Sequence, residues 1–249
     1  KYCRKLCDGY YSVNIYWSSY IPERNKRILS DIRYHAPEHA TEYLKDKVNP
    51  EIRESDFLRC PAFAKQQKNL YALKFSFSYE LRMENGELKS GKYDQRFFDD
   101  FVSVRDHDNC MISFPMSYVF IAETPVDMEY TSAYNVSNGF VDNSIVIPGS
   151  FDIGKWYRPL DLAFLMKDKE KGVSFNENDA YAFVNFHTNK KVNLVRFETT
   201  PELVGLFNSI LLSKFAKSKE VNALSWFYNL LEKSQYKNKI LKLVKENVL

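Results

Sequence analysis

The run Asn69 to Leu81, NLYALKFSFSYEL, constrains the fold more than any other part of the chain. Tyr71, Leu73, Phe75, Phe77, Tyr79 and Leu81 fill the odd positions, and Leu70, Ala72, Lys74, Ser76, Ser78 and Glu80 fill the even ones. A period of two is the signature of extended backbone, because successive side chains point to opposite faces, and it predicts a long strand with one buried face. Asn85-Gly86 offers a turn compatible with positive φ and Ser90-Gly91 a second, so a hairpin is expected with KYDQRFFDDFVSV as the returning strand.

The rest of the first two hundred residues follows suit. GYYSVNIYWSSYI (9–21) reads as a first, Trp-bearing strand ended by Pro22. The charged stretch that follows, with Pro37 and Pro50, reads as surface loop carrying a short helix from Ala40 to Lys47 with Glu42 in its first turn. CMISFPMSYVFIAE is apolar enough for a central strand at either end, but Pro115 lacks a backbone N–H and demands an edge or a bulge there. MEYTSAY, FVDNSIVIPGSF and YRPLDLAFLMKD supply further strands, and DAYAFVNFHTNKKVNLVRFE reads as the clearest hairpin, turning at Thr188-Asn189-Lys190. The 17 Tyr and 19 Phe among 249 residues fit pleated, half-buried surfaces.

At Thr200 the period changes. Thr200 suits an N-cap, Pro201 the first helical position and Glu202 the positive end of the helix dipole. Leu203, Leu206, Phe207, Ile210 and Leu211 then recur at helical spacing, as do Leu224, Phe227, Leu230 and Leu231, and Ile240, Leu243 and Val244. The last of these helices, KNKILKLVKENV, reads as a docked terminal helix with a solvated Lys face. Strands followed by helices predict an α+β fold: a mostly antiparallel β-sandwich or jelly-roll-like sheet core over 1–199, and about three C-terminal helices over 200–249 packed on it or on a partner.

Net charge is +3, from 35 basic and 32 acidic residues, which makes no global electrostatic case for nucleic acid or an anionic membrane. No apolar run approaches the roughly 20 residues of a membrane span, and KYCRKLCDGYYS lacks the apolar centre of a secretory signal. Cytoplasm or virion is the expected location. Cysteines at 3, 7, 60 and 110 are too sparse for a disulfide scaffold and are expected as reduced thiols.

Several candidate chemistries can be weighed on local geometry. His35-Ala36-Pro37-Glu38-His39 fits the H-x-x-E-H pattern of inverted zinc peptidases, which needs both His on one helix face. Pro37 inside such a helix would cost on the order of 3 kcal/mol, so a polar loop is expected instead. A cupin-like metal site would need ligands on neighbouring strands; its candidates are His107, Asp106 or Asp108, and His187. Cys3-x3-Cys7 with His107-x2-Cys110 is a second, mixed zinc candidate, more simply explained as packing thiols. There is no Gly-x-Ser-x-Gly, no Gly-x-Gly-x-x-Gly and no P-loop in a chain with 8 Gly. Trp156-Tyr157-Arg158 is the remaining cluster: it could stack a base, a sugar or a proline-rich peptide, or Trp156 could cover a sheet end while Arg158 pairs with Asp161 or Asp152. Cys60 in RCPAF is expected as a buried residue leading into the long strand, with no neighbour to activate its thiol.

NIYWSS, Cys60-Pro61-Ala62 with Lys68-Asn69, Trp156 through Pro159, and NENDAYAFVNF together resemble an uncharacterised family of tailed-phage proteins, especially marine ones, related to a β-rich domain of unknown function. The resemblance covers about residues 10 to 200 and carries no catalytic residues. It implies a non-enzymatic binding or assembly protein, associated with a virion or acting in the host cytoplasm. No cofactor is expected. The partner would be a protein, or a second copy, meeting the sheet or the C-terminal helices; a membrane is not expected, and single-stranded nucleic acid is the less favoured partner. A jelly-roll-like, metal-dependent enzyme using His107 and His187 is the rival expectation.

Overall fold

The computed structural model describes residues 12–19, 35–47, 60–91, 102–115, 118–217 and 223–249. In chain order the elements are β1 (Ser12–Ser19), β2 (Glu38–His39), α1 (Ala40–Lys47), α2 (Pro61–Gln67), β3 (Leu70–Lys74), β4 (Tyr79–Glu84), β5 (Glu87–Ser90), β6 (Ser103–Asp106), β7 (Met111–Pro115), β8 (Tyr118–Ala122), β9 (Asp127–Ser132), β10 (Ser144–Val146), β11 (Gly149–Asp152), β12 (Asp161–Met166), β13 (Val173–Phe175), β14 (Ala180–His187), β15 (Lys191–Arg196), α3 (Pro201–Lys217), α4 (Ala223–Glu232) and α5 (Gln235–Glu246). The fold is α+β, with a β-sandwich-like core and C-terminal helices, as its sequence pattern predicts.

Among the described residues four sheets share that core: β15-β1-β8, β10-β12-β7-β6, β11-β9-β14-β3-β2 and β13-β4-β5. Every pairing among these described strands is antiparallel except β1 with β15. The alternating run Leu70–Leu81 shows how the sheets join. Its ladder stops at Lys74, where the Phe75 N–H turns to Asp179 O (2.9 Å), and the chain re-enters a different sheet at Tyr79. The odd-numbered set nevertheless stays inside throughout: Leu73, Phe75, Tyr79 and Leu81 are in the central core and Tyr71 and Phe77 pack against it. One predicted strand is therefore two, because a chain crossing a sandwich corner can change sheets without changing phase. The even face is not all solvent either, since Leu70 and Ala72 are buried beneath α1 with Tyr43 and Leu44. α1 occupies its predicted span but is partly core.

The turn after β4 is as expected. Asn85 and Gly86 have φ of 54° and 79° and join β4 to β5 with Glu84 opposite Glu87, the two-residue geometry that matches strand twist. The returning strand is Glu87–Ser90, not the later segment; 92–101 lie outside the described residues.

The second expected hairpin is absent. β14 lies between β9 and β3, whereas β15 lies parallel to β1 in another sheet, so the turn at 188–190 is an arc between sheets. Asn69 holds it: the Asn69 side-chain Nδ2 donates to Thr188 O (2.8 Å) and Lys190 O (3.2 Å), and Lys68 Nζ donates to Asn189 O (2.7 Å). CMISFPMSYVFIAE likewise divides at Pro115 into β7 and β8, which belong to different sheets. β8 is buried along its whole length because Tyr118, Phe120 and Ala122 face the central core, while Val119 and Ile121 face the helices.

Phe175 is a hub of the central core, with Phe75 stacked at 4.4 Å and Tyr79, Phe114, Phe140 and Phe164 rings within 6.3 Å. Such ring pairs contribute about 0.5–1.5 kcal/mol beyond burial. On the other side of the β15-β1-β8 sheet, α3, α4 and α5 bury Leu203, Phe207, Ile210, Phe227, Leu231, Ile240 and Val244 against Tyr16, Val119 and Ile121. Thr200 caps α3 by accepting from the Leu203 N–H (3.3 Å), and Glu202 pairs with Lys239 of α5 at 2.7 Å. Glu123, beside β8, takes Lys245 (2.7 Å) and the Tyr16 hydroxyl (3.0 Å). The Lys245 ammonium, and then the Tyr16 hydroxyl, pull the Glu123 carboxyl below its ordinary range against the cost of partial burial.

Candidate functional site

Trp156-Tyr157-Arg158 lies where the β-body meets α4. The Trp156 ring is stacked on Phe151 (centroids 4.4 Å apart) and on Tyr228 (4.9 Å), with the Arg158 guanidinium 3.9 Å from its centroid. Arg158 is only 6% exposed; its Nε–H donates to Tyr228 Oη (2.9 Å) and its Nη1 lies 3.6 Å from Asp161. Tyr157 is fully buried and donates its hydroxyl to Gly154 O. The ring surface that a base or sugar would stack on is thus engaged by protein, and a buried cation is matched by a phenol oxygen and a carboxylate. Chemically the arrangement is a joint: it anchors α4 to the loop before β12. Of the two partners considered for Arg158, Asp161 is the one in reach; Asp152 instead accepts from the Val126 and Gly154 N–H groups. The essential member that local reading missed is Tyr228, in a helix whose heptad-like spacing marks it only as apolar surface.

The metal candidates are dispersed. His107 and Asp108 sit in the exposed β6–β7 turn, which Asp106 closes by accepting from the Asp108 and Asn109 N–H groups and which Lys169 Nζ clasps through Asp108 O (2.8 Å). His187 is at the end of β14 in another sheet, with Nε2 3.0 Å from Glu129 Oε2. No group of three or more His, Cys, Asp or Glu gathers round a common point among the described residues. Cys3 and Cys7 lie outside the described residues, and Cys110 is a buried thiol.

In the H-x-x-E-H stretch, Glu38 and His39 form a short strand on β3 and the helix begins only at Ala40, so the two His share no helix face. Glu38 pairs with Lys74 (2.8 Å), and His35 lies 3.6 Å from Glu177. The loop expectation is corrected to an extended edge.

Cys60 also departs from expectation. Rather than being buried before a strand, it is half-buried at the N-cap position of α2, with Pro61 at the first helical position. It forms no capping hydrogen bond, yet the N–H groups of Phe63 and then Ala62 favour its thiolate and push the thiol below its ordinary value. Burial pushes the Cys110 thiol the other way.

The large apolar side chains exposed among the described residues concentrate at the C-terminal end: Leu212, Trp226, Leu230, Tyr236, Val248 and Leu249, against Ile145 elsewhere. No helix of the described residues is long and apolar enough to cross a membrane. Comparison of the chain with known protein families, with curated proteins and with solved structures finds no match.

Proposed function

We propose that this chain is a non-enzymatic binding or assembly protein, of the tailed-phage type that its motifs resemble, and that it meets a protein partner through the C-terminal helices. The observation that carries the reading is α4, whose apolar residues are not confined to one face. Phe227, Tyr228 and Leu231 are buried against the body, while Trp226 and Leu230, 56% and 48% exposed, stand one turn apart on the outside. A helix that is apolar all round is ordinarily enclosed, and exposed apolar patches mark interaction surfaces. Leu212 of α3 and Tyr236 of α5 are further exposed apolar side chains on the C-terminal helices.

Sedimentation of the purified chain over a wide concentration range, with and without the lysate of a phage-infected host, tests this. The expected result is a concentration-dependent oligomer or a retained protein partner, lost in the Leu230→Glu and Trp226→Glu variants while the circular dichroism spectrum is unchanged. A chain that stays monomeric and retains nothing, or an assembly indifferent to both charges, would overturn the reading.

A further inference from the structure

A second surface, separate in sequence from the C-terminal helices and independent of the reading above, has the make-up of a small-molecule site. The end of α2 meets the end of β14 and the 188–190 arc at a cleft of about 400 Å³, within the range of small-ligand sites, which begins at roughly 300 Å³. Its cations are Lys65 and Lys68, and no carboxylate is among its described lining residues. Asn185 of β14, half-buried, and Asn189 of the arc add amides that make no side-chain hydrogen bond among the described residues. Phe186, the large apolar residue among the described lining, turns into the central core, so the cleft offers polar groups and no hydrophobic wall.

Both lysines belong to this cleft. Lys68 follows α2 with helical backbone (φ −52°, ψ −42°), so Lys65, three residues earlier, is its neighbour on one side of the helix. Lys68 Nζ reaches across to the arc and donates to Asn189 O (2.7 Å), which uses one of its three donors and, being a carbonyl, leaves the charge unmatched. Lys65 is exposed, and its ammonium group has no partner among the described residues. Glu129, opposite Asn185 on the β9–β14 ladder, is taken by His187 Nε2 at 3.0 Å. The cleft therefore carries two unmatched positive charges beside two unspent amides.

We propose that this cleft binds a small hydroxylated phosphate monoester, the phosphate resting on Lys65 and Lys68 and the hydroxyl groups on the Asn185 and Asn189 amides. A phosphate monoester carries a charge of about −1.5 to −2 at neutral pH and three acceptor oxygens, which matches two ammonium groups. A neutral sugar would leave both charges unmatched, and an ester with an apolar body would find no wall to lie on.

Calorimetric titration with glucose 6-phosphate tests the site, with glucose and inorganic phosphate as controls. The ester is expected to saturate at one molecule per chain and to bind about tenfold more tightly than either control, weakening as salt is raised. Because Lys68 also holds the 188–190 turn, the variants are made at its exposed neighbours, where the melting temperature should not change. Lys65→Gln should weaken the ester about tenfold, the loss of one hydrogen bond to a charged group. Asn189→Asp, which sets a carboxylate beside the Lys68 ammonium group, should abolish binding, whereas Lys237→Gln on α5 removes the same charge elsewhere and should leave it unchanged. Absence of saturation, an ester bound no more tightly than inorganic phosphate, full binding by the folded Lys65→Gln or Asn189→Asp variant, or an equal loss in Lys237→Gln would each overturn the proposal.

Discussion

Replacing Tyr228 with Phe keeps the ring that stacks on Trp156 and removes one atom, the hydroxyl that accepts from Arg158 Nε–H at 2.9 Å. The guanidinium stays 6% exposed, so water does not readily replace the lost acceptor. Hydrogen bonds to charged groups contribute about 1.5–3 kcal/mol net, and Asp161, at 3.6 Å and partly solvated, compensates only in part. The expected loss is therefore about 2 kcal/mol, or roughly 4–8 °C in melting temperature for a chain of this size. Arg158→Met removes the donor and retains much of the packing against Trp156. Urea denaturation of both single variants and the double variant should give a coupling energy of about 1–2 kcal/mol, as residues in direct contact do. If Tyr228→Phe changes stability by less than about 0.5 kcal/mol and the double-variant cycle closes without coupling, the joint is not what anchors α4. The cluster would then be better regarded as a surface kept for a ligand.

Three further outcomes follow from other parts of the molecule. Asn69→Ala removes both hydrogen bonds to the 188–190 carbonyls from a residue 5% exposed; a loss of about 2 kcal/mol is expected at about 1 kcal/mol each, and a change within 0.5 kcal/mol would show that the arc stands without its clamp. Iodoacetamide followed by peptide mass mapping should label Cys60 on the order of a hundredfold faster than Cys110, since reaction needs both exposure and thiolate; the rate at Cys60 should reach half its plateau below the ordinary thiol value, and a midpoint at or above it would contradict the influence of the Phe63 and Ala62 amides. Burial holds the Tyr130 and Tyr157 phenols above their ordinary value, so above about pH 10 the unfolded chain ionises while the folded chain retains these protons. Stability should then fall as pH rises, by about 1.4 kcal/mol per unit for each such tyrosine, and an absorbance titration in which every tyrosine ionises near pH 10 in a still-folded chain would refute it.

How the fold was legible depends on what a repeat period encodes. A period of two reports which side of a strand is inside, and in Leu70–Leu81 that information survived intact. It does not report which strand lies alongside. A chain passing from β3 to β4 keeps its odd residues inward whether it continues in one sheet or turns a corner into another, and the serines at 76 and 78 are the only local sign of the bend. The same ambiguity explains Thr188–Lys190. Two alternating runs joined by three polar residues suit a hairpin or an inter-sheet arc equally well, and what decides between them is Asn69, 119 positions upstream of Thr188. By contrast, Asn85-Gly86 and Thr200-Pro201-Glu202 were legible because their outcome is determined within four residues, by left-handed backbone in one case and by an N-cap in the other.

The candidate site shows the same limit with a consequence for function. Trp156 and Arg158 were visible as an aromatic and a cation, but Tyr228, which lies 70 residues beyond Arg158, determines that they form a joint. Tyr228 also sets the rotation of α4. At about 100° per residue, positions 226 and 230 lie roughly 200° either side of 228 and within about 40° of each other. Docking the Tyr228 ring on Trp156 therefore turns Trp226 and Leu230 outward together, although Leu230 belongs by spacing to the same apolar series as Phe227 and Leu231. The apolar outer face is thus a geometric result of the buried joint, not an accident of surface composition. It follows that weakening the joint should disturb whatever the outer face binds, whereas charging the outer face at Leu230 should leave the joint and its contribution to stability in place.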